Sequence, residues 1–280
     1  MTATRGSTPL AGAGPRPLAG RTALITGGSR GIGAAVTRAL ANRGADVVLT
    51  YRSEHAAAAA LAEHCRSSAH VAAHPLCFDT TVPAAAQGLL EAVGDLAAAV
   101  DVLVINAAAP FSRAPLTQLP STTLISKIST DLEVVHQLVT GLAPGMLERG
   151  FGRVVVIGSL HAEGPSAPGM AANGVAKAAL AAYVDYAVDE LTGPGVTINT
   201  VHPGYIATEG SSGVPPAIPA LLARLTPAAR AGRPDDVAAV VAMLTSPEAE
   251  FLNGARIPVT GGLNHPLPLR RVLSAEQSRP

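Results

Sequence analysis

Glycines at 27, 28, 31 and 33 stand between the short β-tolerant run Thr22 to Ile25 and the apolar stretch that follows. This spacing suits a phosphate cradle. Glycine lets the backbone approach a pyrophosphate closely, and the free amides at a helix N-terminus, with the positive end of the helix dipole, hold the anion. A strand before the glycines and a helix after them separate the pattern from an ordinary turn. The next apolar run, Ala45 to Tyr51, ends in Arg52-Ser53, where an NAD site carries an acidic residue for the ribose hydroxyls. Arg52, with Arg30 inside the loop, is placed to grip a 2′-phosphate through paired hydrogen bonds, which favours NADP(H) over NAD(H).

The elements that must position this cradle follow from hydrophobic period and punctuation. Strands are predicted at Thr22–Ile25, Asp46–Thr50, His70–Phe78, Val102–Asn106, Arg153–Ser159, Thr197–His202 and Ile257–Thr260, and helices over 31–43, 55–66, 83–99, 119–148, 172–192 and 234–245. Strict alternation of strand and helix implies one α/β domain, a doubly wound Rossmann-type parallel sheet with helices on both faces. Ligands of such a sheet bind at the carboxyl ends of its strands. Those ends carry Gly27 to Gly33, Arg52, Asp79, Asn106 to Ala109, Ser159 and Pro203-Gly204. Residues 1–19, rich in proline and glycine, are expected to form a flexible arm.

Composition narrows the partners. Charged residues make up 14% and the formal net charge is zero, so no basic surface for nucleic acid and no polybasic membrane patch is expected. No apolar run approaches the roughly 20 residues of a membrane span. Cys65 and Cys77 lack metal-like spacing, no metal is expected, and a cytoplasmic, reduced protein fits the lack of a leader pattern.

The order of these motifs over residues 20–264 resembles the short-chain dehydrogenase/reductase superfamily. The family's Thr-Gly-x-x-x-Gly-x-Gly loop is Thr26 to Gly33 here, including Ser29 and Ile32, and its adenine-binding aspartate maps to Asp79. Its Asn-Asn-Ala-Gly becomes Ile105-Asn106-Ala107-Ala108, and its Pro-Gly segment beside the nicotinamide is Pro203-Gly204-Tyr205-Ile206, followed by Thr208. The resemblance implies NADPH as cofactor, held by these residues and by Lys177. It also implies pairing into a homo-oligomer through the helices at 119–148 and 172–192.

The family's reacting set is a serine, a tyrosine four residues before a lysine, and an asparagine on the preceding long helix. Ser159 and Lys177 match, but Asn173 stands at the tyrosine position and Asp131 at the asparagine position, and Ser159 lies one residue further from Asn173 than usual. Asn173 can polarise a carbonyl but has no proton to release as an acid. Lys177 would grip the nicotinamide ribose, and Asp131 would be charged near it. Tyr205 and His161 border the site as weak candidates for the acid, whereas Tyr183 and Tyr186 are expected to face a partner helix or the core.

A substrate whose own acidic hydroxyl neighbours its ketone would protonate its product itself. Tyrosine-less ketoreductases acting on angucyclinones share this feature, and the alanine- and proline-rich chain resembles such antibiotic-tailoring enzymes. The expected activity is therefore NADPH-dependent reduction of an aromatic polyketide ketone, with Ser159 and Asn173 orienting the carbonyl. A proline-stiffened lid is expected over 207–232 and a separate tail over 265–280. Two alternatives remain: an NADP(H)-binding sensor or scaffold, and a non-redox cyclase or dehydratase on the same fold.

Overall fold

The computed structural model describes residues 16–82, 84–94, 99–163, 167–211 and 217–264. Near-continuous apolar runs become strands buried on both faces: β1 (Thr22–Thr26), β2 (Asp46–Tyr51), β4 (Val100–Ile105), β5 (Gly152–Ile157) and β6 (Val196–Pro203). β3 (Ala73–Cys77) and β7 (Arg256–Val259) are partly exposed because they close the two edges. All pairings are parallel, in the order β3-β2-β1-β4-β5-β6-β7. The order reverses between β1 and β4, which opens the crevice where a sheet of this kind binds its ligand.

Alternate side chains feed two cores. Ile25, Leu49 and Val104 pack with Val36 and Leu40 of α1 (Gly31–Asn42), Leu61 of α2 (His55–His64) and Val241 of α7 (Pro234–Leu244). Leu24, Val48 and Leu103 point the other way. They meet Leu89 of α3 (Ala85–Val93), Leu138 of α4 (Ser121–Arg149) and Leu180 of α5 (Ala171–Leu191). Each such side chain stabilises the fold by about 1.5–3 kcal/mol through burial. The two longest helices, α4 and α5, lie against each other and carry Asp131, Asn173 and Lys177 to the carboxyl end of the sheet.

Several boundaries differ from expectation. The predicted strand from His70 begins only at Ala73, because residues 65–69 prolong α2 as a wider helical turn that His70 closes at a φ of 53°. Of the helix predicted over 83–99, Ala85–Val93 is helical, while residues 83 and 95–98 lie outside the described residues. Residues 16–19 are not a free arm: Leu18 is fully buried, and its N–H donates to Arg43 O at 3.0 Å. Residues 1–15 and the tail 265–280 lie outside the described residues. In the expected lid, residues 212–216 also lie outside them, and the remainder contains a helix not predicted, α6 (Ala217–Leu225).

Candidate active site

The glycine loop is built so that backbone itself forms the wall. Gly27 adopts a φ of +62°, and a Cβ at Gly33 would stand 2.0 Å from Gly27 O, so only glycine fits there. Threonine hydroxyls pin the loop from below. Thr50 Oγ1 accepts the Gly27 N–H at 2.9 Å, and Thr37 Oγ1 lies 3.1 Å from Gly28 O and 2.9 Å from Gly33 O. Across the crevice, Asn106 Nδ2 donates to Thr26 O and Gly27 O, both at 3.1 Å, while Thr26 Oγ1 accepts the N–H groups of Asn106 and Ala107 at 3.0 Å. The ends of β1 and β4 are thereby locked at the reversal point.

A cavity of about 420 Å³ opens above this lock. Gly27, Ser29, Arg30, Gly31 and Ile32 line one side, Asn106, Ala107 and Thr208 the other, and Arg52 with Phe78 and Thr80 the far end. Arg30 and Arg52 are exposed, and their guanidinium groups form no hydrogen bond or ion pair with a described residue. Two uncommitted guanidiniums beside a backbone cradle fit a dinucleotide bearing an extra phosphate. Asp79 does not line the cavity. Its Oδ1 accepts the N–H and the hydroxyl of Thr81, at 2.9 and 2.7 Å, which hold its pKa below the ordinary value.

Pro203, Gly204 and Ile206 lie beyond the cavity, on a segment tied down at both sides. The Gly204 N–H donates to Val259 O at 3.0 Å, and the backbones of Tyr205 and Ala207 bond to Gly232. Ile206 is buried and Tyr205 half-buried. Lys177 reaches the end of β5, donating to Ile157 O at 3.1 Å, two residues before Ser159. Asn173 sits one helical turn ahead of Lys177, 9% exposed, and its amide has no hydrogen-bond partner among the described residues.

Burial pushes the Lys177 ammonium down to about 8; Asp131 opposes the shift and Lys127 reinforces it. Lys127 is the neighbour that sequence reasoning missed. The expected pairing of Asp131 with Lys177 is only the longer contact, 3.8 Å, whereas Lys127 Nζ lies 2.7 Å from the same oxygen. The only available signal was the i, i+4 spacing of Lys127 and Asp131.

His161, one of the two alternative acids, is less suited to that role. Burial and the nearby Arg113 lower the His161 pKa, leaving a neutral imidazole that is a weak acid, and the His161 backbone N–H donates to Ser159 Oγ at 3.2 Å. Tyr183 stacks edge-on against His136 of α4, as expected of a residue facing a partner helix, but Tyr186 is exposed. Behind Ser159, His202 is buried with Nδ1 2.9 Å from Glu163 Oε1. Burial lowers its pKa against Glu163's opposing pull. Beside His161 opens a second, largely apolar cavity of about 700 Å³, walled by Leu116, Pro168, Met170 and Val175. Neither the His202–Glu163 pair nor this cavity was read from the sequence.

Residues 27–264 match the family described as enoyl-(acyl carrier protein) reductase. A 3-oxoacyl-[acyl-carrier-protein] reductase of Vibrio harveyi is 31% identical over 246 residues, 88% of this chain and 98% of that protein. The crystal structure of a 3-oxoacyl (acyl-carrier-protein) reductase from Agrobacterium tumefaciens with NADP bound superposes with a TM-score of 0.80 at 32% identity, covering 87% of this chain and 94% of that one. A gluconate 5-dehydrogenase from Burkholderia cenocepacia, in complex with NADP and tartrate, gives 0.80 at 31% identity over 90% and 98% of the two chains.

Proposed function

This chain belongs to the short-chain dehydrogenase/reductase family and is an NADP(H)-dependent oxidoreductase, and from that premise we propose that it reduces a ketone of a bulky aromatic polyketide. Residues Gly27 to Gly33, Arg30, Arg52, Asn106 and Thr208 would hold NADPH, which supplies a hydride to the carbonyl carbon. Ser159 and Asn173 orient the carbonyl oxygen. Lys177 binds the ribose hydroxyls.

One observation carries the reading: the buried position one turn before Lys177 is an amide, Asn173, with hydrogens to share but none to release as an acid. The proton for the alkoxide then comes from a phenolic hydroxyl next to the ketone, and water reprotonates the phenolate. The apolar cavity beside His161 supports a large flat substrate. Phenolic ketone and its O-methyl ether separate the possibilities. The ether should turn over about 100-fold more slowly with little change in KM; equal turnover would remove substrate assistance.

A second reading, an NADP(H) sensor, is favoured by the same contrast of intact cradle and missing acid, and hydride transfer to any ketone removes it. Pairing through α4 and α5 is supported by the exposed Ile125, Val175 and Tyr186 on those helices; light scattering should give the mass of a dimer or higher oligomer. The two cysteines are unpaired, which supports a reducing, cytoplasmic setting.

A further inference from the structure

Lys127 and Lys177 are the only lysines in the chain; the other members of its Lys+Arg set are arginines. Both lysines are buried, 50 residues apart in sequence, and both face Asp131. Arginine keeps its proton at any working pH, whereas a buried lysine can release it. Both ammonium groups of the chain thus meet one buried carboxylate.

The carboxylate is not shared evenly. Asp131 Oδ1 accepts the Ala109 N–H at 2.8 Å, Asp131 Oδ2 accepts Lys127 Nζ at 2.7 Å, and Lys127 Nζ also donates to Ala109 O at 2.7 Å. These three bonds close a ring through the peptide that follows β4. Lys177 stands 3.8 Å from Oδ2, beyond hydrogen-bond length, and turns to Ile157 O instead.

We propose that Lys127 is a positioning residue: it closes the Asp131 carboxylate onto the Ala109 peptide and so leaves Lys177 with only part of a counter-charge. The proposal rests on the reading of Lys177 as a residue of the reductase site. Two ammonium groups and one carboxylate carry a net positive charge away from water, and the ammonium that is held less firmly loses its proton first. Burial and the Lys127 charge both act in that direction on Lys177, and Asp131 acts against them. The remaining titratable groups on this side are His202 of β6, neutral through burial, and Glu163 bonded to it. Lys177 thereby becomes able to change charge near neutral pH, within contact distance of an acid that would otherwise pin it as an ammonium.

Removing Lys127 alone frees Asp131 for Lys177 and should hold the Lys177 proton more tightly. Removing both neighbours of Lys177 together should change little, because Lys127 already cancels most of the Asp131 charge. The test is an NMR titration of the full chain carrying isotope-labelled lysine, from about pH 6 to about pH 11. Wild type gives two lysine side-chain signals, and Lys127→Arg leaves the one that belongs to Lys177. Lys127→Met should raise the Lys177 midpoint by about one pH unit, and Lys127→Met/Asp131→Asn should leave it within about half a unit of wild type. The double variant decides alone if Lys127→Met fails to fold. NADPH fluorescence titration of the same wild-type sample reports separately on the oxidoreductase reading, so its loss would not be mistaken for failure of the charge argument. An unmoved midpoint in Lys127→Met, or a fall of more than about one unit in the double variant, overturns the proposal.

Discussion

Between Gly27 and Asn106 the rim is made of backbone and hydroxyls packed so closely that one added methyl collides, whereas around Lys177 it is made of buried charges and a buried side-chain amide. Both regions sit at the carboxyl end of the same parallel sheet. The two halves tolerate different changes. A phosphate cradle depends on space, so its residues have no chemical equivalents; a reacting centre depends on charge and proton supply, which another group or the substrate can provide.

The strongest way to break this contrast is Gly33→Ala. Its Cβ would stand 2.0 Å from Gly27 O, so NADPH affinity, read by fluorescence titration, should fall about 100-fold or more. Retained affinity would mean that the loop is not a rigid cradle. Arg52→Ala comes next. It should weaken NADPH about 10- to 100-fold and leave NADH unchanged, because a charge-assisted bond to the extra phosphate is lost. Equal losses for both cofactors would place Arg52 elsewhere than at the 2′-phosphate.

On the reacting side, Asn173→Ala should lower turnover by about 10-fold or less, as loss of one polarising hydrogen bond does, compared with about 10²- to 10⁴-fold for loss of an essential acid. A full loss would make Asn173 more than a polariser. Introducing the family residue, Asn173→Tyr, should speed an ether-blocked substrate more than the free phenol. Equal gains on both substrates would point to an ordinary reductase that has decayed.

The smallest effect belongs to the scaffold that both regions share. Arg230 grips Asp236 with two bonds, at 2.6 and 2.8 Å, and Asp236 Oδ2 caps α7 by accepting the Arg233 N–H at 2.7 Å. The Arg230 bond lowers the Asp236 pKa to about 2, so its contribution to stability is present above the ordinary carboxylate range and is lost as pH falls through about 2. Asp236→Asn should lower Tm by about 2–4 °C at neutral pH. That gap should close under strong acid, in a calorimetric series against wild type.

The same contrast explains what the sequence made legible. The alternation of strand and helix, the glycine loop and Arg52 follow from local spacing, since backbone geometry is written in glycines and apolar period. Lys177 and Asn173 are assigned by resemblance to a family motif alone, and the two lie on α5 one turn apart. Lys127 was missed because its importance arises only when α4 and α5 bring residues 127, 131 and 177 together. His202 and Glu163 meet across 39 residues for the same reason. Leu18 was read as part of an arm because proline and glycine surround it, yet a single apolar side chain was enough to seat the segment in the core. α6 went unread because Pro219 interrupts its pattern near the start, where a helix can absorb a proline.

On the proposed reading, a complete NADPH cradle serves a carbonyl reduction that proceeds without the family's tyrosine. Purified wild type and Asn173→Ala, given each C4-deuterated epimer of NADPH and a panel of phenolic polycyclic ketones, test it directly by mass spectrometry of the product. Deuterium is expected at a hydroxyl-bearing carbon from one epimer, with labelling retained at a reduced rate in the variant. NADPH bound tightly with no label transferred to any ketone of the panel would contradict it.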